Sequence, residues 1–177
     1  MRREVIGQAR GVVLEVGAGS GLNFALYVPK QVERVEAIEP DATMLRYAEA
    51  RRAAAPVPIT LTQAPAEALP FADETFDSVA ATLVFCSVAD PMQALREVRR
   101  VLKPGGALLL LEHVRAKGAF AGRVQDMVTP FTARLAGGCH WNRDTAAAVA
   151  GAGFQVTSLR QVRGGLQPGV ILRATRP

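Results

Sequence analysis

The residues of this chain that could do chemistry are carboxylates at the ends of apolar runs, glycines beside them, and two histidines. The run Val12-Val13-Leu14-Glu15-Val16-Gly17-Ala18-Gly19-Ser20-Gly21 ends in an acid and then three glycines at every second position. Such a run brings bare backbone against a ligand at the end of a strand. Its spacing is G-x-G-x-G. The dinucleotide fingerprint G-x-G-x-x-G would need a glycine where Leu22 stands. Glu39 closes a second apolar run and can accept hydrogen bonds from both hydroxyls of a ribose. It lies roughly 20 residues past the loop, a distance that also suits a nicotinamide cofactor, so an NAD(P)-dependent oxidoreductase stands as an alternative here. His113 and His140 are the candidate general bases, each with the competing reading of a structural or exposed imidazole. Cys86 and Cys139 read as packed small side chains, because two cysteines give no disulfide framework and their spacing is not that of metal ligands.

The elements that must position these groups alternate between strand and helix patterns, which predicts a parallel sheet with crossover helices. Strands are expected at 12–16, 32–38, 59–62, 76–82 and 107–112, and two more at 154–162 and 170–175. A helix is expected from Leu22 to Tyr27, stopped by Pro29. Asp41 caps the next helix, with Met44, Leu45 and Ala48 at helical spacing. Asp90-Pro91-Met92-Gln93 reads as a helix start, with Gln93 as the reciprocal member of a capping box. Lys103-Pro104-Gly105-Gly106 ends that helix, and Asn142 is the expected cap of the last one, which runs to about Ala150. In an open parallel sheet the ligand lies beyond the carboxyl ends of the strands, where the glycine loop, Glu39, the segments 64–67 and 82–87, and Glu112-His113 all fall.

At 177 residues with 49% hydrophobic and 21% charged side chains, the composition is that of one soluble globular domain. No run approaches the ~18 apolar residues of a membrane span, and the start of the chain has no apolar segment of secretory type, so the cytoplasm is the expected location. Residues 1–114 carry 12 basic and 14 acidic side chains, whereas residues 115–177 carry nine and two. The C-terminal third therefore has a net charge of +7. That is compatible with a solvated cationic surface or with peripheral contact with an anionic membrane. Scattered arginines with few aromatics between them argue against a nucleic-acid partner.

The glycine run, led by Glu15, resembles motif I of the class I S-adenosylmethionine-dependent methyltransferases. Leu69-Pro70-Phe71-Ala72-Asp73-Glu74-Thr75-Phe76-Asp77 and Leu95-Arg96-Glu97-Val98-Arg99-Arg100-Val101-Leu102-Lys103-Pro104-Gly105-Gly106 are similar to two further motifs of the methyltransferases related to ubiquinone and menaquinone biosynthesis. Thr82 to Val88, Glu112-His113-Val114 and Gly138 to Thr145 resemble the methyltransferase-like 7 group, whose members methylate thiols. The resemblance implies a single domain over 1–177, with about 10–115 as the cofactor-binding core and about 116–177 as the acceptor-side helices and last two strands. It is built on a Rossmann-like, doubly wound, seven-stranded α/β sheet in the order 3-2-1-4-5-7-6, mostly parallel with an antiparallel C-terminal strand. The resemblance also implies S-adenosylmethionine as cofactor, with contacts at Glu15, Gly17, Ala18, Gly19, Gly21, Asn23, Glu39, Pro40, Met44, Ala66, Glu67, Thr82 and Leu83.

Relatives use an aspartate where this chain has Pro65, so either Glu67 or the Ala66 backbone is expected to hold the adenine end. They also carry more chain before the first strand, so the pocket is expected to be open or closed by a second copy in a homodimer. The acceptor is expected to be a small, apolar molecule: a thiol first, then a quinone or lipid amine. A non-catalytic cofactor-binding protein is the remaining alternative. The segment 119–136 places Phe120, Val124, Met127, Val128, Phe131 and Leu135 on one helical stripe, flanked by Arg123 and Arg134, and reads either as an ordinary core-facing helix or as a lid over the pocket mouth.

Overall fold

The computed structural model describes residues 1–115, 122–127, 129, 139–140, 142–162 and 168–177. Seven strands form a single sheet in the order β3-β2-β1-β4-β5-β7-β6. They are β1 (Gly11–Val16), β2 (Val32–Ile38), β3 (Ile59–Thr62), β4 (Phe76–Thr82), β5 (Leu102–His113), β6 (Gln155–Val162) and β7 (Gly169–Thr175). β1 to β5 run parallel, and β7 is antiparallel to both β5 and β6. The register sets Val16 beside Ile38 and Ala81, and Thr82 beside Leu111, so the carboxyl ends of β1, β2, β4 and β5 reach one edge. The chain reverses its winding direction at β1, between β2 and β4, which is where open α/β sheets form a ligand crevice.

Strand alternation divides the core into two layers. Val12, Leu14, Val16, Leu108 and Leu110 face α3 (Pro91–Val101) and α4 (Thr145–Gly151). Val13, Leu109 and Leu111 face α1 (Arg2–Ile6) and α2 (Ala42–Arg52). Both central helices start as their sequences direct. The Asp41 carboxylate accepts from the N–H groups of Thr43 and Met44, and Asp90 accepts from Gln93 N–H with Pro91 in the first turn. Ala94, Leu95, Val98 and Val101 form the buried stripe of α3.

Four expectations need correction. The helix at 22–27 is a single 3-10 turn, Phe24–Leu26, because six residues before Pro29 are too few to repay helix nucleation. The capping box of α3 is closed from outside the helix. Glu67, not Gln93, accepts from Asp90 N–H, while the Gln93 amide oxygen binds Arg96. Asp144 rather than Asn142 caps α4, because its carboxylate reaches Ala147 N–H at 3.0 Å; Asn142 turns to Asp126 instead. The Lys-Pro-Gly-Gly segment belongs to β5 as an irregularity between Leu102 and Ala107, pinned to Arg176 by Gly105 N–H and Gly106 C=O.

The two long motifs have a structural explanation. The Arg100 guanidinium donates to Glu97, to Asp73 and to the carbonyls of Leu69 and Phe71. Glu97 accepts from Leu69 N–H, and its carboxyl is held below the usual range mainly by Arg100. Asp77 accepts from Val12 N–H and pairs with Lys103. The L-P-F and E-x-x-R-V-L-K stretches thus clamp each other and fix the chain leading from β3 to β4.

Candidate functional site

A cavity of about 670 Å³ opens at the carboxyl ends of β1, β2 and β4, within the range of ligand pockets. The glycine loop forms its floor. Gly17 has a φ of +66°, and a Cβ there would lie 2.5 Å from Val84 Cγ2, so the glycine loop can pass the segment after β4 only without a side chain. Gly19 has a φ of +55° and faces open space, and its N–H donates to Glu39 Oε2 at 2.9 Å. Glu39 Oε1 accepts from Asp41 N–H at 3.1 Å. This carboxylate therefore ties the glycine loop to the start of α2 while standing on the cavity wall. Ala18 and Pro40 line the wall beside it.

The opposite wall comes from two other segments. Pro65, Ala66 and Glu67 supply one part, with Glu67 Oε1 engaged by the N–H groups of Ala89 and Asp90. Thr82, Leu83, Val84, Ser87 and Val88 supply the other. Leu83 has a φ of +63°, a conformation costly for a branched side chain and found where surrounding structure over-determines it. That surrounding structure is Glu112. Its carboxylate is fully buried and accepts from the N–H groups of Val84, Phe85 and Cys86 at 2.8, 3.0 and 3.2 Å. Burial pushes its pKa up to about 7, against the pull of those three donors. Arg143 holds the same loop by donating to the carbonyls of Phe85 and Val88.

Behind the floor runs a buried chain of polar groups. Glu15 accepts from Asn23 Nδ2 at 2.9 Å and from the Tyr27 hydroxyl at 2.7 Å. Asn23 also donates to Thr82 Oγ1 at 3.0 Å and accepts from Arg2 at 3.1 Å. Burial raises Glu15 to about 7, partly offset by Tyr27 and Asn23. Arg2 reaches Thr82 as well and lines the cavity. Arg2 gives no signal in the sequence, since a lone arginine ahead of the first strand has no motif around it.

Of the residues expected to contact a cofactor, Gly17, Ala18, Gly19, Glu39, Pro40, Ala66, Glu67, Thr82 and Leu83 stand on the cavity wall. Glu15 and Asn23 lie behind it. Glu15 orients side chains rather than the loop N–H groups, because it points into the layer that holds Tyr27. Gly21 packs against the Phe24 ring, 2.7 Å from where a Cβ would be. Met44 lies off the wall, 38% exposed on α2. Neither His113 nor His140 lines the cavity.

The two histidines lie instead beside the cysteines. Both cysteines are free and buried, as expected of packed small side chains, and Cys86, His113 and Cys139 bring their ligating atoms within 4.8 Å of one another. The loop after β4, the end of β5 and the segment before α4 make neighbours of residues far apart in the chain. Burial lowers the pKa of His113 and raises that of Cys86. His140 donates its N–H to Cys86 C=O at 2.6 Å. Most of the 119–136 stripe lies outside the described residues. In its described helical part, 122–127, Met127 is 70% exposed and Gln125 is buried, so the inward face there is polar, with the Gln125 amide directed at Val114 C=O.

A model of the methyltransferase domain family matches residues 14–110. The human (Homo sapiens) thiol S-methyltransferase TMT1B is 35% identical over 159 residues, covering 81% of this chain and 63% of that protein. The ubiquinone/menaquinone biosynthesis C-methyltransferase UbiE of Geobacter sulfurreducens is 39% identical over 107 residues, 58% of this chain and 41% of that one. Among solved structures, a candidate methyltransferase from Bacillus halodurans superposes with a TM-score of 0.82 over 99% of this chain and 97% of its own. At 19% identity that is a likeness of fold. The chain thus spans less than two thirds of the length of either curated relative.

Proposed function

The chain belongs to the methyltransferase domain family, and on that premise we propose that it transfers a methyl group from S-adenosylmethionine to the sulfur of a small, largely apolar thiol. The residues present fit the cofactor. Glu39 stands on the wall as a carboxylate suited to accept from ribose hydroxyls, Gly19 leaves open space beside it, and Arg2 adds a positive charge to the wall. Family and fold set the nicotinamide alternative aside.

When bound, S-adenosylmethionine supplies a methyl group on a positively charged sulfur, open to in-line attack. The chain's own part is to align and to exclude water. The Glu112-bonded loop presents Leu83, Val84 and Val88 as the apolar side of the cavity, where an uncharged acceptor body can pack.

One observation carries the choice of acceptor. Among the described residues, the cavity wall holds no histidine, and its ionisable side chains are Arg2, Glu39 and Glu67. Both carboxylates are engaged by backbone N–H groups. A carbon or hydroxyl acceptor needs a strong base, whereas a thiol with a pKa near ~8.5 supplies thiolate unaided. The human relative bears the name of a thiol S-methyltransferase, which supports the same choice.

The test is release of S-adenosylhomocysteine over a panel of alkyl and aryl thiols, quinols and amines. Turnover of apolar thiols is expected, rising with pH as the thiolate fraction grows. Turnover of a quinol or amine with none of any thiol would overturn the assignment.

A further inference from the structure

Cys86, His113 and Cys139 come from three parts of the chain: the loop after β4, the end of β5, and the segment leading into α4. The Cys139 Sγ lies 3.7 Å from His113 Nδ1, and all three ligating atoms fall within 4.8 Å of one another. A tetrahedral zinc ion, with Zn–S near ~2.3 Å and Zn–N near ~2.05 Å, sets its ligand atoms roughly 3.6 to 3.8 Å apart. The Cys139–His113 pair therefore already stands at the edge length of such a tetrahedron, and Cys86 Sγ lies within 4.8 Å of both. We propose that Cys86, His113 and Cys139 form a zinc site, with the fourth position taken by solvent.

The surroundings are those of a ligand set held in place. Cys86 is fixed at both of its peptide groups: its N–H donates to Glu112 Oε2 at 3.2 Å, and its C=O accepts from His140 N–H at 2.6 Å. Such outer contacts orient ligands and are a regular part of metal centres. Both cysteines are buried, at 1% and 8% exposure, so the site is shielded, while His113 is half-buried. His140, next in the chain to Cys139, has a buried Nδ1 with no hydrogen-bond partner among the described residues, a polar atom left over beside the cluster. Two sulfurs and one imidazole nitrogen are a donor set for zinc rather than for calcium or magnesium.

Binding forms two Zn–S bonds and one Zn–N bond. The two thiols give up their protons to solvent, and no electron is transferred. The ion would clamp the segment at Cys139 to the ends of β4 and β5. Ser87 lies on the cavity wall, 3.7 Å by its hydroxyl from Cys86 Sγ, so the clamp stands directly behind the apolar side of the cavity.

The test uses the full chain under reducing conditions. Zinc content is measured by mass spectrometry after dialysis, and the metal-free protein is titrated with Co²⁺ alone. About one zinc per chain is expected, together with sulfur-to-cobalt charge-transfer absorption and the visible bands of tetrahedral cobalt. In Cys86→Ser and in Cys139→Ser the charge-transfer absorption falls by roughly half, one of two sulfur ligands being gone. S-adenosylhomocysteine binding reports folding in every sample and tests the cofactor reading separately. Wild-type protein that binds S-adenosylhomocysteine yet retains no zinc and develops no charge-transfer band would overturn the proposal. So would a band unchanged in both cysteine variants.

Discussion

Glu15 and Glu112 are the residues on which the site rests without either touching the cavity. Each sits in full burial and each is pushed up to about 7. Relative to an ordinary carboxyl near 4.5, the folded chain holds protons that the unfolded chain releases between about pH 4.5 and 7. Their contribution to stability is therefore complete below pH 4.5 and fades as the pH rises to 7. His113, lowered by burial, acts with the opposite sign near its ordinary value of 6.5, so the contrast with a single variant is the cleaner reading. Between pH 5 and 7.5 the wild type should lose about 1–3 kcal/mol that Glu15→Gln does not lose, measured from urea midpoints. Equal pH slopes in the two proteins would contradict the burial of an ionising Glu15.

The glycine loop is the element that couples sheet to ligand. Gly17→Ala puts a Cβ against Val84, in a loop that three hydrogen bonds to Glu112 prevent from yielding. It should lower stability by about 1–3 kcal/mol, read by thermal unfolding, and weaken S-adenosylhomocysteine binding as the loop shifts. In Gly19→Ala the new Cβ meets nothing in the protein and projects into the cavity. It should cost less stability and as much or more binding, and a reversed ranking of the two would mean the loop is oriented otherwise.

Elements of this kind were legible because their signals are local. An apolar run ending in glycine names β1, a run closed by an acid names β2, and an aspartate ahead of a periodic stretch names α2 and α3, from a few residues each. The short turn at Phe24–Leu26 and the Glu67 cap of α3 were not, since each depends on what tertiary structure brings alongside.

At the scale of the whole molecule the same division holds for the site. Nine cavity-wall residues lie at strand ends that the motifs mark. The cluster of Cys86, His113 and Cys139 has no sequence signature, because it is made only where the loop after β4, the end of β5 and the segment leading into α4 meet. The charge is also divided, with +7 in residues 115–177. Among the described residues no helix is long and apolar enough to cross a membrane. Contact of the basic third with an anionic surface is proposed as peripheral and electrostatic. Flotation with vesicles rich in phosphatidylserine should then show binding at ~10 mM salt that is lost near ~0.15 M, where the Debye length has shrunk to about 8 Å. No binding at low salt would contradict it.

The central claim is that the cavity beside Gly19 receives S-adenosylmethionine with its ribose on Glu39. Calorimetric titration of the wild type and of Glu39→Ala with S-adenosylhomocysteine, with NAD as the control ligand, tests it most directly. The wild type should bind one S-adenosylhomocysteine per chain and no NAD. The variant should lose two charge-assisted hydrogen bonds worth roughly 1.5–3 kcal/mol each, a weakening of about 100-fold or more. An affinity unchanged in Glu39→Ala, or NAD bound in place of S-adenosylhomocysteine, would contradict it.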